Sequence, residues 1–299
     1  MSTVIWRFSD GKAGHDQQSV GLVNALADSV AVASYAIPVG SGVNALRGWL
    51  TRRYRPGEAL PAPDLLIGAG HATHLHLLAA RHSRGGSSVV LMKPTLPCAW
   101  FDLCLVPQHD GIAAAPNVVT TRGVLNSIRC GNAHDGDTGL MIIGGPSRHV
   151  RWDNSRIMEQ VEQLRGQRPK ARWWLTTSRR TPAELVERLR RQAGLVCLAA
   201  SETSPDWLSA RLAEASEAWV TRDSVSMIYE ALTSGARVGL LDVAPRGNNR
   251  ITAAIDRLVA DGWVTAPGQW KMMAPGPELP LNEAVRCAHW IVQQWLNKN

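Results

Sequence analysis

Cysteine, tyrosine and phenylalanine are all scarce in this chain of 299 residues, at five, three and two. The cysteines, Cys98, Cys104, Cys130, Cys197 and Cys287, are odd in number and no two have C-x-x-C spacing. That argues against a disulfide frame or a cysteine zinc site, and for a reducing compartment. No apolar run approaches the ~18–20 residues of a spanning helix. The first ten residues lack the basic start and apolar centre of a signal peptide. No G-x-x-x-x-G-K-[ST] loop is present. Helix-turn-helix, RNP and zinc-finger patterns are also missing, so no nucleic acid is expected as a partner. The expected location is the cytoplasm, with peripheral attachment to the inner membrane left open.

What is present is ordinary globular material, 45% hydrophobic and 19% charged, enough for about two domains at roughly 100–200 residues each. Lys and Arg exceed Asp and Glu by 32 to 25, a net +7, which suits an anionic small ligand or an anionic membrane face. Twelve tryptophans dominate the aromatic set.

Short apolar runs at 4–8, 30–39, 65–67, 88–92, 103–106 and 118–119 alternate with helical spacing at 17–27 and 77–81. The small polar stretch 130–138 reads as a linker. The pattern then restarts, with strands at 139–143, 172–176, 195–199, 218–221 and 238–241 and helices at 157–164, 182–193 and 227–233. A final amphipathic helix spans 282–296, with Val285, Ala288, Val292 and Trp295 as its apolar stripe. Alternation of this kind predicts an α/β chain of parallel sheets with helices on both faces. The expected division is 1–133, 134–280 and a terminal helix 281–299.

Ligands of such sheets bind outside the carboxyl ends of the strands, and each polar or glycine-rich cluster follows a predicted strand. In 9–18, Asp10 and His15 are general-base candidates, Lys12 offers a cation, and Gly11 and Gly14 permit close approach. A plain turn, with Asp16 capping a helix, is the alternative. In 68–76, Gly70 and His71 suit a hydrogen-bonding site, whereas His74 and His76 read as ordinary surface residues. His71 and His74 lie one helical turn apart, but no acidic ligand is near in sequence, so no metal is expected. Gly144, Gly145 and Ser147 form either a phosphate-cradling turn or a plain one. In 176–182, hydroxyls accompany Arg179 and Arg180, either of which can pair an anion bidentately. In 220–231, Ser224, Val225 and Ser226 open a helix whose N-terminus favours phosphate. Glu230 lies further along it, placed either to accept from a ribose diol or as a surface charge.

Several motifs resemble one family over almost the whole chain. They are Asp10-Gly11-Lys12-x-Gly14-His15-x-x-Gln18, Ile67-Gly68-Ala69-Gly70, Leu91-Met92-Lys93-Pro94, Phe101-Asp102-Leu103, Thr121-Arg122-Gly123, Gly144-Gly145, Thr176 to Pro182, and Thr221-x-Asp223-Ser224-Val225-Ser226-Met227. The chain resembles the family named for a plant mitochondrial fission protein of the "elongated mitochondria" type, whose bacterial members are expected to be glycosyltransferases. The resemblance implies a GT-B-like fold, two Rossmann-like domains facing a cleft, with the terminal helix crossing back to the first. It implies a nucleotide-sugar donor on the second domain. Ser224, Val225, Ser226 and Glu230 would contact that donor, with Gly144, Gly145, Ser147, Thr177, Ser178 and Arg179 around its phosphates. It also implies an acceptor on the first domain, near Gly11, Lys12, Gly14, Gly70, His71 and Lys93, with Asp10 or His15 as base. No bound cofactor or metal is implied.

The acceptor expected is a lipid or lipopolysaccharide-type intermediate of the cell envelope. Leu46 to Arg55 mixes apolar and basic residues at near-helical spacing. Such a segment docks on anionic lipid, unless its apolar side faces the core. Two other functions fit the same residues: a non-catalytic adaptor at a membrane surface, and a nucleotide-sugar epimerase.

Overall fold

The computed structural model describes residues 2–131, 135–247, 250–269 and 280–296. The chain divides after Ser127 and again after Leu281 into two compact units, the first joined by the terminal helix.

The first unit contains β1 (Thr3–Ser9), α1 (Ala13–Ala27), β2 (Val32–Pro38), α2 (Gly42–Thr51), β3 (Leu65–Ala69), α3 (His74–Arg84), β4 (Ser87–Leu91), β5 (Leu103–Pro107) and β6 (Val118–Thr121). Its six strands are parallel in the order β2-β1-β3-β4-β5-β6. The central strand β3 is buried throughout, as an unbroken apolar run covered on both faces must be. One face packs Ile5, Ile67 and Val89 against Leu22 and Leu26 of α1. The other packs Trp6, Leu66 and Val90 against Leu77 and Ala80 of α3. Strand order reverses between β1 and β3, and that switch point locates the first cluster described below.

The second unit contains β7 (Asp135–Ile143), β8 (Val150–Arg151), α4 (Asn154–Gln167), β9 (Arg172–Thr177), α5 (Ala183–Arg190), β10 (Leu195–Leu198), α6 (Trp207–Glu214), β11 (Ala215–Thr221), α7 (Val225–Ser234), β12 (Arg237–Leu241), β13 (Ala244–Pro245) and α8 (Arg250–Ala260). Five parallel strands run β10-β9-β7-β11-β12, with a small antiparallel pair of β8 and β13. Here the order reverses between β7 and β11. Residues 135–138, read above as linker, instead open the central strand β7. Thr138 pairs with Arg172, and Asp135 pairs with Ala215 ahead of an irregularity in register. Pairing on both sides outweighs a polar composition that suits a loop.

Many of the tryptophans build the core. Trp6, Trp173 and Trp219 are fully buried, and each has a glycine beneath its ring. A Cβ on Gly57, Gly139 or Gly239 would lie 2.2, 2.3 or 2.4 Å from the indole of Trp6, Trp173 or Trp219 respectively.

The terminal helix α9 (Glu283–Ile291) is capped by Asn282, whose side chain accepts from the Val285 amide, and continues as a π-helical turn at Val292–Leu296. Its buried stripe is Ala284, Cys287, Ala288 and Ile291, set against α1 of the first unit. That is a different stripe from the expected one, of which Ala288 and Val292 are buried and Val285 and Trp295 only partly so. Buried Glu283 accepts from the Arg122 amide and pairs with Arg286, which donates to the Thr120 carbonyl.

Candidate functional site

At the first switch point, the turn after β1 meets the turn after β3. Helix α1 starts at Ala13, earlier than a cap at Asp16 would allow. Asp16 instead lies in the first turn, bonded to Arg7 at 2.9 Å and Ser9 at 2.9 Å. This early start brings His15 onto the helix, facing back to Asp10. His15 Nδ1 is 2.9 Å from Asp10 Oδ2. The Lys12 amide donates to Asp10 Oδ1 at 3.2 Å, and Lys12 Nζ lies 3.4 Å from Oδ2.

The Asp10 side chain is only 3% exposed, against 19% for His15. Burial raises the Asp10 pKa, but the hydrogen bonds and charge of His15 and Lys12 outweigh it, and the carboxyl stays below its ordinary value. An ionised Asp10 holds the proton on Nδ1 and leaves Nε2 as the acceptor. Asp10 is thus placed to orient the His15 ring, which is the more exposed of the two. Gly70 completes the arrangement. Its φ is +82°, and a Cβ there would sit 2.3 Å from His15 Cε1.

The remaining first-unit candidates divide. Gly11, at φ +76°, has open space around it, as does Gly14, and Lys12 is exposed. His71 is exposed at the end of β3. Lys93 is exposed, but its ammonium donates to the carbonyls of Gly111 (2.6 Å) and Asp110 (3.4 Å). His74 and His76 are not surface residues; each is 2% exposed. His74 Nδ1 meets Thr95 Oγ1 at 3.2 Å, and burial, with the neighbouring His71, pushes its pKa down to about 4. His76 Nδ1 meets Tyr54 Oη at 2.9 Å. They point to different sides of α3, His74 against Phe101 and Thr95 and His76 against Tyr54 and the Gly40 carbonyl, and both sides are covered. Among the described residues, no group of three or more His, Cys, Asp or Glu side chains is placed to hold a metal ion.

At the second switch point the organising residue is Asp223, which lies in the Thr221-to-Met227 motif but is not among the residues expected from the sequence to contact a ligand. Its side chain is fully buried and pairs with Arg180 at 2.7 Å. Asp223 Oδ2 accepts from the Gly145 amide at 3.1 Å, and Thr221 Oγ1 accepts from the Gly144 amide at 2.7 Å. The two glycine amides are therefore occupied internally and do not cradle a phosphate. Glycine is needed there for another reason. A Cβ on Gly144 would lie 2.1 Å from Asp223 Oδ1, and one on Gly145 would lie 2.3 Å from the Arg180 carbonyl.

Arg180 also donates to the carbonyls of Gly145 (2.8 Å) and Pro146 (3.1 Å). Thr177 Oγ1 accepts from the Ala200 amide, and Ser178 bonds Ile143 and Thr181. Ser147 Oγ accepts from the His149 amide. These residues knit the strand ends together. Arg179, by contrast, is exposed and lines a cavity of about 340 Å³ with Thr177, Ser178, Thr181 and Ser201.

Helix α7 starts beside this hub. Ser224 occupies the N-cap position, but its side chain makes no capping bond, leaving the first-turn amides of Val225 and Ser226 open. Ser226 is exposed, and Glu230 follows four residues later on the same face. Glu230 is half-buried, and burial alone pushes its pKa up to about 7. No hydrogen-bond or ion-pair partner offsets that cost among the described residues. It is not the solvated surface charge of the alternative reading.

The sequence matches the family model described as mitochondrial fission ELM1 over residues 13–295. The chain belongs to that family. No curated protein sequence matches it. Among solved structures, it is similar to a UDP-GlcNAc 2-epimerase from Neisseria meningitidis bound to UDP-GlcNAc (TM-score 0.55, 12% identity, covering 99% of this chain and 100% of that one). It is also similar to the glycotransferase of kitacinnamycin (0.55, 14%, 98% and 99%) and to the S. aureus MnaA–UDP co-structure (0.52, 14%, 99% and 97%). At these identities the likeness establishes the fold, a GT-B-like α/β chain. In this ELM1-family chain, the Asp135-Gly136-Asp137 triplet lies at the amino end of β7, the opposite end from Gly144.

Proposed function

We propose that this protein transfers a sugar from a nucleotide-sugar donor held by the second unit to a hydroxyl of an acceptor held by the first. The observation that carries the reading is the Asp10–His15 pair: a buried carboxylate holds Nδ1 of a partly exposed imidazole at a strand-end switch point. That is the arrangement of a general base with its orienting partner. In the proposed step, His15 Nε2 takes the acceptor's hydroxyl proton as its oxygen bonds the anomeric carbon. The bond from that carbon to the diphosphate breaks, and the nucleoside diphosphate leaves with the electron pair. The open amides of α7 and the Arg179 guanidinium would stabilise the departing charge. Glu230 would accept from the ribose hydroxyls. The step uses no bound cofactor, and the proposed acceptor is a lipid or lipopolysaccharide-type intermediate of the envelope.

UDP-sugars are the first probes, because neighbours of this fold hold UDP or UDP-GlcNAc. A donor at about 100 times its Kd should add about 2.7 kcal/mol of stability. His15→Ala should keep that binding and lose roughly 10²–10⁴-fold in turnover. Donor binding with undiminished turnover in the variant would refute the assignment. The likeness to an epimerase supports a second reading, proton removal from the sugar of the bound nucleotide. Interconversion of the free nucleotide sugar without acceptor would select it. Failure of every nucleotide sugar to bind would favour the adaptor.

A further inference from the structure

Helix α2 has its apolar side turned the wrong way for a helix in water. Ala45 and Gly48 are buried and face α3. On the opposite arc, Val43, Leu46, Trp49 and Leu50 are exposed at 74, 44, 43 and 70%. At 3.6 residues per turn these four share one side of the helix. A solvent-facing stripe of large apolar residues marks an interaction surface.

The helix ends at Arg52, which adopts a left-handed φ of +55° and folds the chain back. The Arg53 amide then donates to the Gly48 carbonyl at 3.0 Å. This reversal places Arg53 and Arg55 beside Arg47 around a cavity of about 370 Å³. Its other lining includes the Tyr54–His76 pair, with Tyr54 Oη 2.9 Å from His76 Nδ1. Among the described residues, no carboxylate lines the cavity. The single acidic residue between 40 and 60 is Glu58. Arg47, Arg52, Arg53 and Arg55 are all exposed.

We propose that α2 and this cavity form a docking site for an anionic phospholipid surface. The Val43-Leu46-Trp49-Leu50 side seats at the boundary of headgroups and acyl chains, and Arg47, Arg53 and Arg55 hold a lipid phosphate. A stripe of apolar side chains flanked by guanidiniums, with no opposing carboxylate in the cavity, complements an anionic membrane face in both charge and polarity. A soluble anion would satisfy the arginines but leave the apolar face in water. Vesicle binding needs neither donor nor turnover, so it is read independently of the transfer reaction.

The test is co-sedimentation of the full chain with phosphatidylcholine vesicles, with and without phosphatidylglycerol. Binding is expected only where phosphatidylglycerol is present. Arg53→Glu with Arg55→Glu should weaken it by at least about 25-fold, at about five-fold for each arginine near the surface. Leu46→Ser with Leu50→Ser should weaken it by at least about ten-fold. Both variants change exposed side chains, so both should unfold at the wild-type Tm. No partition onto phosphatidylglycerol vesicles, or partition unchanged in either variant, would overturn the proposal. So would an arginine-dependent thermal shift with inorganic phosphate but no vesicle binding, which would identify a soluble-anion site.

Discussion

Glu230→Gln should make this protein more stable at neutral pH while weakening its proposed ligand site. Burial moves the Glu230 carboxyl from 4.5 to about 7, and no partner among the described residues compensates. At about 1.4 kcal/mol for each tenfold change in proton affinity, the ionised folded form bears a penalty of about 3 kcal/mol. The folded protein holds the Glu230 proton more tightly than the unfolded chain. Stability therefore falls as pH rises from the unfolded value, and the penalty is complete above the folded value. It should be absent near pH 4 and fully developed by about pH 8. Glutamine resembles the neutral acid and removes it.

For a chain of this size, about 3 kcal/mol corresponds to a rise in Tm of roughly 6–12 °C. The assay is urea or thermal unfolding of both proteins from pH 4 to 8, read by tryptophan fluorescence. The gain should appear at pH 8 and vanish at pH 4. Donor affinity should fall about ten-fold, because a neutral acceptor replaces a charged one. A gain that does not depend on pH, or none at all, would refute the reasoning.

Other variants probe the two switch points. Gly70→Ala puts a side chain in a backbone region essentially reserved for glycine, at a cost of roughly 1–3 kcal/mol. Its Cβ drives the His15 ring off Asp10, so turnover should drop as in His15→Ala; normal turnover would show that the pairing is dispensable. Gly144→Ala forces Asp223 out of its contacts and should cost about 1–3 kcal/mol by overpacking, measured as a lower urea midpoint. Gly239→Ala meets the Trp219 ring and should cost a similar amount, with altered near-ultraviolet circular dichroism.

Burial explains which parts of this molecule were legible in the sequence. Strands such as Leu65–Ala69 and Leu103–Pro107 announce themselves as unbroken apolar runs because the sheet is covered on both faces. Helix α8, absent from the expected elements, carries Ile251, Ile255 and Leu258 at helical spacing, a period that the sequence does display. Of the expected linker 130–138, residues 132–134 lie outside the described residues and 135–138 is strand instead, because composition reports solvent preference while β7 gains its first residues from pairing with neighbours distant in sequence. The surface expected for His74 and His76 fails likewise: burial of a histidine depends on what covers its side of the helix, and nothing local to the residue reveals it.

The motifs by themselves determined that polar clusters follow strands, and that the chain falls into two α/β halves. Only the tertiary structure decided what each cluster does. Asp10 and His15 are close in sequence, but α1 must begin at Ala13 for them to touch. Gly144, Arg180 and Asp223 come from three separate loops, and the order of strands β9, β7 and β11 brings them together. Parallel sheets gather strand ends from distant parts of the chain, so the partners of a residue there are set by strand order, which a linear pattern does not contain.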